Sequence, residues 1–152
     1  MTRPSRVRIR EVGPRDGFQN EPEIIPTDEK VRLINSLGRA GFTRIEVASF
    51  VRPDVIPQLS DGVEVLKRIQ VPSDVSLMVL IPNSRGLDNA LKVREYFHEA
   101  SIFVSASQTH NLKNINRTVE QTMTDDRAMA QRILAEGLKL DAVIATSFGC
   151  PY

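Results

Sequence analysis

Read by itself, the sequence predicts an α/β fold built on a parallel sheet. Two observations carry this. Short apolar runs rich in β-branched residues alternate with segments whose apolar residues recur at helical spacing, in the order βαβαβαβαβ. One of those runs, VSLMVLI, is apolar almost without interruption, as a strand covered on both faces must be. The spacing of the strand starts, roughly 25–40 residues, leaves room for one crossover helix and no linker. Two closures satisfy the pattern, a doubly wound open sheet and a (β/α) barrel. Five strands by themselves favour the open sheet, because a barrel needs eight strands and about 250 residues.

The elements follow in order. Val7 to Val12 reads as the first strand, with Val7, Ile9 and Val12 as its β-branched residues. It runs into a Gly- and Pro-rich turn, GPRDGFQN. Thr27 is the expected N-cap of the first helix, with Asp28 and Glu29 in the turn where the helix dipole favours carboxylates. Val31, Ile34, Leu37 and Ala40 recur at helical spacing, and Gly41 ends that helix. TRIEVASF is the second strand. Ser60 is expected to cap a short helix carrying Val63, Leu66 and Ile69. VSLMVLI is the third strand, and Ser84 opens a helix with Leu87, Ala90 and Leu91 on one face. SIFVSAS is the fourth strand. Thr118 and Gln121 form a capping box for a helix using Val119, Met123, Ala130, Ile133 and Leu134. LDAVIATSF is the fifth strand.

Bulk properties bound the function. With 152 residues, 41% hydrophobic and 26% charged, the chain has the composition of one soluble domain with a real core. A net charge of +1 gives no reason to propose nucleic acid or a membrane surface as partner. No apolar run is long enough to span a bilayer. The basic N-terminus, MTRPSRVRIR, lacks the apolar stretch of a signal peptide. The single cysteine, Cys150, excludes an internal disulfide. These features predict a cytoplasmic protein.

Each strand ends in polar residues: Arg15 and Asp16, Ser49, Asn83, Ser105 to Gln108 with His110 behind them, and Thr146 with Ser147. In parallel α/β folds the site lies at the carboxyl ends of the strands, where these groups would meet. Solvation alone also makes such loops polar. Glu46 is the sharpest anomaly, because it interrupts a run that should be buried, and a buried carboxylate needs a partner or a metal. Arg15 is the obvious partner.

The blocks EVGPRDGFQNE, IEVASFVRPDVIPQLSD, VLIPN, KNIN and GCPY together resemble 3-hydroxy-3-methylglutaryl-CoA lyase, a family of metal-dependent barrel lyases and synthases, from Val7 to Tyr152. The resemblance implies a TIM barrel, of which residues 1–152 would be the N-terminal portion carrying the first five strands of eight. It implies a divalent cation, Mg²⁺ or Mn²⁺, and a retro-Claisen cleavage of an acyl-CoA substrate to acetyl-CoA and acetoacetate, serving leucine breakdown. It also implies a homo-oligomer. By position, Asp16 matches the family's metal ligand on strand one and Arg15 the arginine that stabilises the enolate. Gln19 matches a site glutamine, Glu46 an acidic residue that orients the cluster, and Ser49 a serine beside the substrate. His110 matches a histidine that synthase relatives carry past the end of strand four, while Gln108 stands where the lyases have Glu. The family's His-x-His ligand pair, further asparagine and acid–base cysteine have no counterpart here. Cys150 matches a structural GCPY segment rather than that cysteine, and His98 reads as a surface residue. Two other readings stay open: a related acyl-CoA aldolase or 2-oxo acid synthase, and a truncated product with no activity of its own.

Overall fold

The computed structural model describes residues 3–152. Four parallel strands, β1 (Arg44–Ser49), β2 (Ser76–Leu80), β3 (Glu99–Ser105) and β4 (Lys139–Ala145), lie in sheet order β1-β2-β3-β4. Five helices connect or flank them: α1 (Thr27–Arg39), α2 (Gly62–Arg68), α3 (Ser84–Leu91), α4 (Gln108–Ile115) and α5 (Val119–Ala135). The α/β parallel class expected from the alternation is the observed one. Among the described residues no helix is long and apolar enough to cross a membrane.

The expected first strand is corrected. Residues 7–12 form no ladder and make one parallel bridge, Glu11 to Ile45. Two backbone hydrogen bonds, Glu11 N to Arg44 O at 3.0 Å and Glu46 N to Glu11 O at 2.8 Å, still lay the segment along the free edge of β1. Val7 and Ile9 are 75% and 64% exposed, so nothing packs on them to propagate the pairing.

Strand register sorts the side chains onto two faces. Ile45, Val47, Leu77, Val79, Ala100 and Ile102 point toward the helices and form the core with Ile34, Leu66, Leu87, Met129 and Ile133. The opposite face carries Arg44 and Glu46 of β1, Ser76 and Met78 of β2, Glu99 and Ser101 of β3, and Asp141 of β4, as the pairs Arg44–Ser76, Glu46–Met78, Met78–Glu99 and Ser101–Asp141 require. That face is charged where the helical face is apolar. The register between β1 and β2 slips between Glu46 and Ala48. Such a bulge reverses the alternation beyond it. Ala48 therefore faces α2, where a Cβ on Gly62 would lie 3.2 Å from its own, and Ser49 turns to the charged face beside Leu80.

Several helix ends differ from expectation. Pro26, not Thr27, caps α1, and the Thr27 hydroxyl donates instead to Asp61 at 2.7 Å. Asp61 precedes α2, while the Ser60 hydroxyl turns back to Pro57 O. Both hydroxyls donate to a nearby oxygen instead of accepting from the free N–H groups of the helix start. Gly41 ends α1 as expected, at φ +96°. The Thr118–Gln121 capping box is present, and α3 starts at Ser84 with Asn83 as its cap. Met123 and Leu134 of α5 are half exposed rather than core, and Thr122, Met129 and Ile133 take the buried stripe. Helix α4 was not anticipated, because QTHNLKNI has little apolar periodicity. It is held by Asn111, 1% exposed, whose amide bonds Ser105 N, Arg117 O and Thr122 Oγ1.

Candidate active site

The expected turn after Val12 is a single π-helical turn, Gly13–Gly17. Arg15 N and Asp16 N both donate to Val12 O, at 3.0 and 2.7 Å. The wide turn lifts Arg15 and Asp16 together over the carboxyl end of the sheet. Such turns recur at functional sites. Gln19 follows on the same turn, and Asn20 Nδ2 donates to Asp16 O at 2.7 Å, bracing the loop from behind.

Beneath that turn lies a cleft of about 380 Å³. Arg15, Asp16 and Gln19 line it from the turn, Glu46 and Ser49 from β1, and Val51, Val55 and Ile56 from the loop after β1. Leu80, Phe103, Val143 and Ala145 supply an apolar floor, and Asn114 and Ile115 of α4 close one side. One charged corner in a mostly apolar pocket is the usual form of a small-molecule site.

The charged corner is built around Glu46, which is 1% exposed. Arg15 Nε donates to its Oε1. The same guanidinium donates through Nη1 to Asp16 Oδ1 at 2.9 Å and approaches Gln19 Oε1 at 3.5 Å. Arg15 is thus held at three points with its far edge toward the cleft. Asp16 is the outermost member, its side chain 53% exposed, and its second oxygen accepts no hydrogen bond from the described residues. The Ser49 hydroxyl accepts from Val51 N at 3.3 Å. Five of the six expected site residues, Arg15, Asp16, Gln19, Glu46 and Ser49, therefore line one cleft.

His110 does not join them. It sits in the first turn of α4 with its ring 6.2 Å from that of Tyr152, and its buried Nδ1 has no hydrogen-bond partner among the described residues. The helix that sequence periodicity missed turns it away from the cleft. Gln108 accepts from Val119 N at 2.9 Å and belongs to the start of α5. Cys150 is exposed near Ser107, and the Ser107 hydroxyl, with the backbone of Tyr152, holds its thiol below the ordinary value. His98 is exposed, as expected, and its Nδ1 accepts from Leu77 N at 3.0 Å.

A second set of charges, not anticipated, lies on the same sheet face. Arg44 bonds Glu99 through Nε at 2.8 Å and Asp141 through Nη2 at 2.8 Å. Arg10, a cleft-lining residue, donates to Asp141 Oδ2 at 2.5 Å and places its Nε 3.8 Å from Glu46 Oε2. Burial pushes the carboxyls of Glu99 and Asp141 upward. Their arginine partners, with the hydroxyls of Ser76 and Ser101, more than offset this and hold both below the usual carboxylate range. The signal was present in the sequence. Asp141 interrupts LDAVIA as Glu46 interrupts RIEVAS, and the same reasoning applies to both.

Comparison with known proteins matches this geometry to a family. Residues 6–152 match the HMGL-like family. The chain is 44% identical over 152 residues to hydroxymethylglutaryl-CoA lyase YngG of Bacillus subtilis, and 40% identical over 151 residues to the mitochondrial hydroxymethylglutaryl-CoA lyase of Rattus norvegicus. It covers 100% and 99% of itself in these alignments but 50% and 46% of those relatives, so it spans about half their length. Among solved structures, the HMG-CoA lyase of Bacillus subtilis superposes with a TM-score of 0.94 at 44% identity, covering all of this chain and 50% of that one. An HMG-CoA lyase of Acinetobacter baumannii, solved with coenzyme A and 3-methylmalate, superposes with a TM-score of 0.88 at 41% identity, covering 95% of this chain and 47% of that one. The parallel sheet and its helical face thus superpose on about half of such a lyase, and the chain belongs to the HMGL-like family.

Proposed function

We propose that the protein is a hydroxymethylglutaryl-CoA lyase and that residues 1–152 are the N-terminal portion of its single (β/α)₈ catalytic domain. The observation that carries this is the Arg15–Glu46 pair, a guanidinium held by a buried carboxylate at the head of an apolar-floored cleft. Retro-Claisen cleavage of a 3-hydroxyacyl thioester breaks a carbon–carbon bond and leaves an enolate on the thioester carbonyl. A fixed cation aimed at that oxygen stabilises the charge as it forms, by roughly 3–4 kcal/mol per donor at comparable oxyanion sites. Arg15 fills that role, and Glu46 and Gln19 keep its plane from rotating. Ser49 stands beside the substrate, and the apolar floor excludes water from the reacting carbons. The coenzyme A bound in the Acinetobacter baumannii relative supports an acyl-CoA substrate.

Asp16 fits one ligand of a divalent cation, because its half-exposed carboxylate projects at the cleft mouth with an oxygen to spare. The described residues gather no group of three His, Cys, Asp or Glu, so the other positions fall to water, to substrate oxygens and to the family's histidine pair beyond these residues. When bound, Mg²⁺ or Mn²⁺ would lower the pKa of the substrate hydroxyl that must lose its proton. A role in leucine breakdown follows from this activity, and the cytoplasm is the compartment proposed for it. One relative, from Danio rerio, is named cytoplasmic, whereas the mammalian ones are named mitochondrial.

The test is cleavage of hydroxymethylglutaryl-CoA by the full-length protein with Mn²⁺, followed as acetyl-CoA and acetoacetate in equal amounts. Turnover abolished by chelator and restored by metal is expected. Absence of cleavage by a folded, metal-supplied protein overturns the assignment.

A further inference from the structure

Glu46 presents a problem that Arg15 solves only in part. Its Oε1 accepts from Arg15, but its Oε2 is buried and has no hydrogen-bond partner among the described residues. A carboxylate this deeply buried is costly unless both oxygens see positive charge. A terminal carboxylate torsion is also broad, so one bonded oxygen does not fix the plane of the group.

The cation nearest to Oε2 is Arg10, with Nε at 3.8 Å. Its place follows from the chain. Glu11 pairs with Ile45, which faces the helices, so the preceding residue points to the charged face. Arg10 then reaches across that face to β4, where Nη1 donates to Asp141 Oδ2 at 2.5 Å. Asp141 is gripped from its other side as well. Arg44 already bonds its Oδ1 at 2.8 Å, and Ser101 donates to Oδ2 at 3.2 Å. The guanidinium of Arg10 is therefore anchored at one end and leaves its Nε side to Glu46.

We propose that Arg10 is a positioning residue for this site: anchored by Asp141, it holds the second oxygen of Glu46 so that the first stays on Arg15. The role depends on the reading of the cleft above only for its catalytic consequence. The physical claim concerns Arg15 itself and is tested without turnover.

The test follows the Nε–Hε resonance of Arg15 by nitrogen-15 NMR, together with cleavage kinetics. In the wild type the Arg15 Nε–Hε is hydrogen-bonded and exchanges slowly. Arg10→Met is expected to speed its exchange by about tenfold or more, and Arg10→Lys to retain part of the protection. Arg44→Gln removes a cation of the same network that does not approach Glu46, and should leave the Arg15 signal in place while lowering Tm. In the assay, Arg10→Met should lower kcat about tenfold with KM within about twofold, and lysine should recover part of it. An Arg15 resonance with unchanged shift and exchange in folded Arg10→Met overturns the proposal. Should that variant fail to fold, Arg10→Lys and Asp141→Asn decide instead, since unchanged Arg15 exchange in both is equally fatal. If the wild type cleaves no hydroxymethylglutaryl-CoA, the lyase assignment falls while the NMR comparison still decides the role of Arg10.

Discussion

Glu46 and Arg15 lie 31 positions apart in sequence, yet each accounts for the other. A lone carboxylate in a strand that is otherwise apolar would be driven to protonate or to face outward. The guanidinium makes burial tolerable, and burial in turn makes the guanidinium rigid. Rigidity matters because a donor acts on a transition state only if it need not reorganise. Arg15→Met is therefore expected to lower kcat for hydroxymethylglutaryl-CoA by two orders of magnitude or more, with a much smaller change in KM. Lysine should rescue poorly, because a point charge cannot bond Glu46, Asp16 and the substrate oxygen at once. Steady-state kinetics of the two variants check this, and raised KM with unchanged kcat would assign Arg15 to binding alone. Asp16 is predicted to act through the metal. Asp16→Asn keeps the shape but removes the anionic oxygen, so Mn²⁺ affinity and cleavage should fall together. Titration calorimetry with Mn²⁺ reads the first, and unchanged affinity would remove Asp16 from the ligand set.

At the scale of elements, α4 and α5 show how the strand ends are held. Asn111 joins β3, the loop after α4 and α5 through three hydrogen bonds made inside the protein. Asn111→Ala leaves Ser105 N and Thr122 Oγ1 without it, and should cost about 2–4 kcal/mol in urea denaturation. An effect below the error of that measurement would mean that α4 is held by its backbone alone. Asp126, on the face of α5 toward β4, is the opposite case. It lies in an apolar groove beside Ile102, Met123 and Leu140. Burial raises its carboxyl to about 6, against a weaker pull from Arg117. A folded value above the unfolded one means that the native state holds the proton more tightly. Its stabilising effect is full below the unfolded carboxylate value, and it is lost as pH rises toward 6. Asp126→Asn should therefore stabilise the protein at pH 7 by about 1–2 kcal/mol, discounted for the half of the group that water screens, and change little at pH 3.5. Thermal melts of both proteins at the two pH values decide it, and equal Tm differences at both would show that Asp126 does not titrate in this range.

For the whole molecule, the open feature is the sheet. Among the described residues the β4 edge is unpaired and the β1 edge is met only by the single bridge from Glu11, and Ile144 on β4 is 61% exposed while Val7 and Ile9 are exposed at the other edge. Open edges beside apolar side chains template further pairing. Expressed as these 152 residues, the chain is predicted to self-associate and to cleave no hydroxymethylglutaryl-CoA. Light scattering and the cleavage assay check both halves, and an active monomer would show that the cleft is sufficient as it stands.

What could be read from the sequence were the properties set by neighbours in the chain. The helix periods of Val31, Ile34 and Leu37, the capping box of Thr118 and Gln121 and the apolar run of VSLMVLI each depend on residues a few positions apart, so the α/β order followed from them. Glu46 was conspicuous for the same reason, as a charge out of place in its own strand. Tertiary structure decided what depends on distant partners. Residues 7–12 have the composition of a strand, but a ladder forms only where a neighbour packs on it, and here one bridge does. The bulge after Glu46, which turns Ser49 into the cleft, is a matter of register with β2 and leaves no mark on the sequence of β1. His110 was carried out of the site by a helix whose stability comes from Asn111 rather than from its own periodicity. The arginine pair flanking Glu46 exists only because Asp141, from the last strand, lies across the sheet from Arg10, and no local pattern encodes a contact 131 residues long.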